Sequence, residues 1–432
     1  MSHYPNKSLT IVSVSSFHLS NPDFLSKLPH EIALYTIELL PTPRDLVTVS
    51  RVCKHWRRLS EEPAVWRALF YQQPGWDIQP SYLNIASILN WKQLYMERQE
   101  LDRRWYHLQT RQRSDAVNSS FIPNVARLCG HTDAIYCCCI VPIPGSRGLI
   151  VTGSRDHTIC VWDGRTHERL DVLYSHSRSV LCLQHQAGVL ASGSSDCTAQ
   201  LWYQKGCTFL KGPILAGHTE GVLDITFCDK YIVTASRDQT LRVWRKNDGI
   251  CERVYREHAA SVNTCSAQGN FVVSGAGNGS IHVWNAETGR TYRVIQGRPN
   301  GVASVIYTGD FIISGSSDCA ISTWRTSTGD LIARRVAHVQ LVRALAFDAR
   351  RALLVSGGWD GHMRLWDVRH LLQGNAKDMK DQPKLLLDMN IQEARVFDVS
   401  LDTTRILVAS ERNELGLTDF GGQGLDNCIS VS

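Results

Sequence analysis

Four times along the chain a histidine, a hydroxyl residue, an aspartate and a tryptophan recur in the same order. The sets are His131, Thr152, Asp156 and Trp162; His176, Ser192, Asp196 and Trp202; His218, Thr234, Asp238 and Trp244; and His338, Ser356, Asp360 and Trp366. A histidine with a hydroxyl and a carboxylate is the group a hydrolase uses to activate a nucleophile. The same types also suit a purely structural role. A buried aspartate must be paired, an imidazole can bridge it to a hydroxyl, and an indole N–H needs an acceptor. Repetition decides between the two, because an active site is needed once and a latch in every repeat. The sets are expected to be latches, with no catalytic residue among them.

The spacing sets the architecture. Tryptophans 162, 202, 244, 284, 324 and 366 are separated by 40, 42, 40, 40 and 42 residues. Each lies six residues after Asp156, Asp196, Asp238, Asn278, Asp318 or Asp360, and four residues before each of these stands Thr152, Ser192, Thr234, Ser274, Ser314 or Ser356. A fixed period of this size marks a repeat fold, in which each unit buries its apolar face against its neighbours. Two units depart from the pattern: the fourth has His258 but Asn278 in place of the acid, and the fifth has Arg298 near the place of the histidine.

Gly130-His131 and Gly217-His218, with Trp162-Asp163 and Trp366-Asp367, resemble the Gly-His and Trp-Asp signatures of the WD-repeat family. The resemblance implies an all-β propeller whose blades each hold a hydrogen-bonded His, Ser/Thr, Asp and Trp chain. Six blades carry a tryptophan. Arg395 to Val399, Arg405 to Ser410 and Leu415 to Phe420 read as three strands of a degenerate seventh, with Asn413 near the acid's position. Its missing outer strand is available in Pro123 to Leu128, and joining both ends in one blade closes the ring and hides the sheet edges. Seven blades are expected over residues 121 to 420, with a polar surface loop at Leu371 to Pro383 and a short tail from 421 to 432.

After a polar tail of residues 1 to 22, residues 23 to 72 read as short amphipathic helices. Ile32, Tyr35 and Leu39 share one face of a helix stopped by Pro41, and Thr42-Pro43-Arg44-Asp45 caps a second helix carrying Leu46, Val49, Cys53 and Trp56. Leu28-Pro29-His30-Glu31, Asp45-Leu46, the run Val49 to Arg57 and Val65-Trp66 are similar in order and spacing to the F-box family. That resemblance implies docking on a Skp-type adaptor, which ties the module to a cullin scaffold and a RING subunit. Leu28, Pro29, Ile32, Leu46, Val49 and Cys53 would contribute to the docking surface, while Trp56 and Trp66 are expected in the module's core. Residues 73 to 120 form a helical linker, with one longer helix from Asn84 to Leu108 acting as a stiff spacer.

In F-box propellers that recognise phosphorylated degrons, arginines project from two recurring places: just before the latch acid, and at the start of each innermost strand. Carried over by position, these places hold Arg155, Arg237, Trp359 and Arg412, and Tyr136 and Arg343, with Arg178 in a loop nearby. Guanidinium groups grip phosphate bidentately, so such a set suits an acidic or phosphorylated peptide. Leucines and Ala303 at other inner positions suit a mixed apolar and polar surface equally well.

Composition excludes the other classes. Hydrophobic residues at 43% supply a core, and a net charge of +5 over 432 residues calls for no nucleic-acid partner. No apolar run is long enough for a membrane span, the first two dozen residues lack a secretory signal, and fourteen scattered cysteines without a C-x-x-C pair read as reduced thiols. An intracellular protein of the cytoplasm or nucleus is expected. There is no phosphate-binding loop and no metal motif, so neither metal nor cofactor is expected. The reading is a non-catalytic substrate receptor of an SCF-type ubiquitin ligase that binds a protein target, or else a WD-repeat scaffold uncoupled from ubiquitin transfer.

Overall fold

The computed structural model describes residues 25–40, 42–73, 90–110, 124–143, 146–369, 382–391 and 394–421. The expected N-terminal tail, Pro41, the first residues of the expected helix from Asn84, the loop at 371–383 apart from its last two residues, and the C-terminal tail beyond 421 lie outside these. The chain divides into two compact units, residues 1–76 with 89–96, and residues 77–88 with 97–432.

The first unit is helical. A single 3-10 turn (Leu25–Lys27) leads into α1 (His30–Glu38), α2 (Pro43–Ser50), α3 (Lys54–Ser60) and α4 (Pro63–Gln72). Thr42 caps α2 as its sequence requires: its hydroxyl accepts the Asp45 N–H at 3.3 Å and donates to the Asp45 carboxylate at 2.6 Å. The expected second helix does not run on to Trp56. Its last turn tightens into i to i+3 bonds at Arg51 and Val52, and Cys53 is extended (φ −158, ψ 172) as the N-cap of α3. The tightened turn breaks the 3.6-residue phase, so Cys53 and Trp56 belong to a new helix. Trp56 and Trp66 are buried, and the Trp66 indole donates to the Ser60 carbonyl at 2.9 Å. The start of α5 (Trp91–Thr110) completes this core, with Trp91 edge-on to Phe70 at 5.7 Å and Tyr95 edge-on to Trp66 at 5.6 Å.

The second unit is a seven-bladed propeller with 28 strands among the described residues, four per blade. Blades one to six are consecutive antiparallel meanders whose innermost strands are Ile135–Val141, Val180–Gln186, Val222–Phe227, Val262–Gln268, Val302–Tyr307 and Val342–Asp348. Blade seven takes Val396–Leu401, Arg405–Ser410 and Glu414–Asp419 from the end of the propeller and its outer strand, Asn124–Cys129, from the beginning. The innermost strands touch in ring order, the last against the first, so no sheet edge is left at the seam. The second strand of a blade is buried on both faces, which is why Leu149–Ser154 and Leu353–Gly358 read as unbroken apolar and small runs. Within this unit Leu101 and Trp105 of α5 pack in the same apolar cluster as Val396 and Phe420, and the Trp105 indole donates to the Thr403 carbonyl at 3.1 Å.

One irregularity recurs in every blade. The pairing of the innermost strand slips at its second residue, leaving Tyr136, Leu181, Leu223, Asn263, Ala303, Arg343 and Phe397 as bulged, unpaired positions. A bulge re-aims the side chain it carries. Here it turns seven side chains toward one mouth of the central channel, which all seven line.

Candidate protein-interaction surfaces

The four complete sets are latches in their geometry. In blade three the His218 Nδ1–H donates to Asp238 at 2.7 Å, its Nε2 accepts from the Thr234 hydroxyl at 2.8 Å, and the same hydroxyl accepts the Trp244 indole N–H at 2.8 Å. The tautomer follows from the carboxylate, which can only accept. His131, His176 and His338 repeat the arrangement, with each of their bonds to acid and hydroxyl between 2.8 and 2.9 Å. Thr152, Ser192, Thr234 and Ser356 are fully buried, so no substrate reaches the hydroxyls. Burial alone would raise the Asp156 carboxyl, but hydrogen bonds from Thr158 and Thr132 and the neighbouring His131 hold it at about 2. Burial pushes His131, His218 and His338 down.

The two irregular blades solve the same problem differently. In blade four Asn278 accepts from the Ser280 hydroxyl instead of the histidine, the Trp284 indole N–H has no partner, and Tyr255 stacks on Trp284 at 4.6 Å. His258 keeps its bond to Ser274 at 2.7 Å. In blade five Arg334 reaches Asp318 at 2.7 Å, taking the place of the missing histidine, and Trp324 still donates to Ser314 at 2.9 Å. Arg298, near the expected histidine position, does not make that bond.

On the turns between second and third strands, the expected residues occupy equivalent backbone positions, with one correction. In blades one and three the N–H of Arg155 or Arg237 bonds back to Ala134 or Gly221, and Trp359 bonds back to Leu341 in the same way. In blade seven that bond is made by Glu411, to Arg395 at 2.9 Å, because Ser410 pairs with Val396 as Ser154 pairs with Ile135. Glu411 therefore holds the ring position and Arg412 stands at the latch acid's place. Sequence alone misplaced them by one residue, since blade seven has Val408 and Thr418 where other blades carry the hydroxyl and the tryptophan.

Three arginines of the turn-bearing face, Arg155, Arg237 and Arg395, have carboxylate partners. Arg155 lies 3.7 Å from Asp133, Arg237 is 3.5 Å from Glu220, and Arg395 is 4.0 Å from Glu411 while lying over the Trp359 ring at 5.2 Å. Arg343 donates to the Ala303 carbonyl at 3.3 Å and shares the channel with Asp224 and Asp398. Burial raises these carboxyls to about 6 and about 7, against the pull of backbone N–H donors and of Arg343 itself. Arg178, in the turn before the innermost strand of blade two, is exposed. Tyr136 and Phe397 meet edge-on at 4.9 Å, and with Leu181 and Leu223 they form an apolar arc over blades seven, one, two and three. The mouth is thus half apolar, with balanced charge around it.

In the helical unit the apolar side chains of α1 and its C-cap residue Leu39 divide between core and surface, with Leu34 half-buried. Ala33 and Ile37 are in the core, whereas Ile32, Tyr35 and Leu39 are 51%, 61% and 64% exposed. Pro29 is exposed, and Leu28, Val49 and Cys53 are half-buried. Leu46, expected on the docking surface, is instead buried at 1% exposure, because the inward face of α2 turns it into the module's core.

Among the described residues no group of three or more metal-ligating side chains is arranged to hold a metal ion, the thirteen cysteines are unpaired, and no helix is long and apolar enough to cross a membrane.

Known proteins match both units. An F-box-like family model matches residues 25–72, and the WD domain, G-beta repeat model matches residues 123–163, 167–203, 211–245, 249–285 and 329–367. The stretch passed over before the last match is blade five, which lacks the histidine. The chain is 24% identical over 323 residues to WD repeat-containing protein pop1 of Schizosaccharomyces pombe, covering 56% of this chain and 42% of that one. It is 33% identical over 143 residues to nuclear distribution protein nudF of Aspergillus niger, covering 32% and 31%. It is 30% identical over 166 residues to F-box/WD repeat-containing protein 7 of Drosophila melanogaster, covering 37% and 11%. Each match spans less than half of the relative's length.

Proposed function

Because the chain joins an F-box-like module to WD repeats, and so belongs to the F-box/WD-repeat family, we propose that it is the substrate-recognition subunit of an SCF-type ubiquitin ligase. In this reading the helical unit docks on a Skp-type adaptor, the adaptor ties it to a cullin scaffold and a RING subunit, and the propeller holds a target protein inside the cell. The chain supplies binding energy and orientation, and other subunits carry out the transfer.

The observation that carries the proposal is the outward stripe of α1. A small helical module that leaves Ile32, Tyr35 and Leu39 in water while Ala33 and Ile37 fill its core has an unspent apolar surface suited to a partner. Leu28, Pro29, Val49 and Cys53 join that surface, and Leu46 supports it from beneath.

For the target, the paired arginines and the apolar arc favour a segment of mixed polar and apolar character over a multiply phosphorylated one. The deciding experiment is quantitative co-purification of the tagged chain under proteasome inhibition, beside a Leu28→Ala/Pro29→Ala double variant. Capture of adaptor and cullin by the unaltered chain, their loss in the variant, and loss of ubiquitin conjugates on the proteins still bound support the receptor. Failure of a well-folded chain to capture either would leave a WD-repeat scaffold.

A further inference from the structure

Blades four and five enclose a groove on the face opposite the turns described above. It has a volume of about 570 Å³, within the range of roughly 300–1,000 Å³ usual for ligand sites. Four rings wall it: Phe271 and Tyr292, edge-on at 6.0 Å, and Tyr307 and Phe311.

Its polar groups are left over from a substitution. Arg325 occupies the place that blades one, four and six give to Asp163, Asn285 and Asp367, whose side-chain oxygens accept turn N–H groups from Arg165, Glu287 and Arg369 at 2.7, 3.0 and 3.1 Å. Blade three also has an arginine there, but Arg245 is paired with Asp248 at 2.7 Å. The corresponding residue of blade five is Thr328, and among the described residues Arg325 has no carboxylate within ion-pair distance. Instead its guanidinium lies over the Phe311 ring at 5.7 Å, with its edge free to donate. Beside it Thr326 is only 7% exposed, lines the groove, and has a hydroxyl with no hydrogen-bond partner. A buried hydroxyl left unpaired is costly, and a ligand oxygen would relieve it.

We propose that this groove is a second binding site, for an extended protein segment that carries an aromatic side chain next to a single carboxylate. The ring enters among the four aromatic residues, and the carboxylate meets the edge of Arg325 and the Thr326 hydroxyl. Asp310, on the rim of the same groove, works against a dianionic phosphate. The site is formed by blades four and five alone, on the opposite face of the ring from the turns between second and third strands.

The test uses the purified full chain and fluorescently labelled octapeptides of Gly and Ser with a central Phe-Glu, Phe-Gln, Ala-Glu or Phe-phosphoserine pair. Fluorescence anisotropy is expected to show Phe-Glu bound at least about tenfold more tightly than the other three. Arg325→Asn, which copies the residue of blade four, and Tyr292→Ser at an exposed position should each abolish that preference without lowering the melting temperature. The proposal is overturned if Phe-Glu does not bind, if Gln or phosphoserine serves equally well, or if both well-folded variants retain the preference.

Discussion

His258 lies flat against His282, with ring centroids 3.8 Å apart, in the blade whose latch acid is replaced by Asn278. Burial, and then the neighbouring His282, push His258 down to about 3. The Tyr255 hydroxyl meets His282 at 3.1 Å, so the pair is fixed in neutral form by packing and hydrogen bonds.

Acid should therefore loosen this blade. An unfolded histidine titrates near 6.5, so between that pH and about 3 the unfolded chain binds the extra proton. The contribution is intact above pH of about 6.5, falls as pH drops through this window, and reaches a loss of about 2 kcal/mol at pH of about 5. Asn278→Asp supplies the carboxylate that other blades use and should recover about 1 kcal/mol of that loss. Urea unfolding of both chains at neutral and mildly acidic pH measures the difference. Equal acid sensitivity would show that the stacked pair is not its source.

The latch hydroxyls should differ in worth from blade to blade. Thr234→Val removes a hydroxyl serving both His218 and Trp244 and leaves two buried groups unpaired, at a cost of about 3 kcal/mol. Ser314→Ala strands the Trp324 indole and removes a longer bond to the Ser322 carbonyl at 3.4 Å, with no histidine involved, and should cost about 1–2 kcal/mol. Denaturant titration of the two variants checks the order.

On the helical unit, two kinds of apolar residue should separate. Ile32→Ala with Leu39→Ala should weaken binding to a Skp-type adaptor at least about tenfold with an unchanged melting temperature. Leu46→Ala should cost about 2–5 kcal/mol of stability, because it opens a cavity in the module. Calorimetric titration against the adaptor, with melting curves for each variant, distinguishes them.

Charge on the turn-bearing face gives a fourth expectation. If Asp133, Glu220 and Glu411 neutralise their arginines, then Asp133→Asn, Glu220→Gln and Glu411→Gln together should tighten binding of a doubly phosphorylated peptide about tenfold and steepen its salt dependence. Unchanged affinity over a range of ionic strengths would mean that the carboxylates do not screen the arginines.

Most of the architecture was legible because the repeat writes it in residue types. The tryptophan period located six blades, and the unpaired outer strand located the seventh. What escaped depends on pairing or on depth. Asn413 looked like the missing acid, and only the register of Ser410 on Val396 moves the alignment by one residue, exchanging a basic ring position for Glu411. Leu46 and Ile32 are both apolar residues at helical spacing, and a short helix with apolar groups on two sides does not say which side faces in. The groove between blades four and five could not be read at all, since its walls come from six strands and the turns beside them, with Phe271 and Arg325 54 residues apart.

The seam in blade seven has a consequence for synthesis. Asn124 to Cys129 leave the ribosome early, yet their partners are Glu414 to Asp419, almost 300 residues later. While the intervening blades emerge and fold, this strand has no neighbour and its backbone groups stand open to any passing edge. A nascent chain that stalls or terminates between residues 390 and 414 would carry six finished blades and an unclosed ring, and would present to the cell's chaperones and proteases an exposed strand that the complete protein hides.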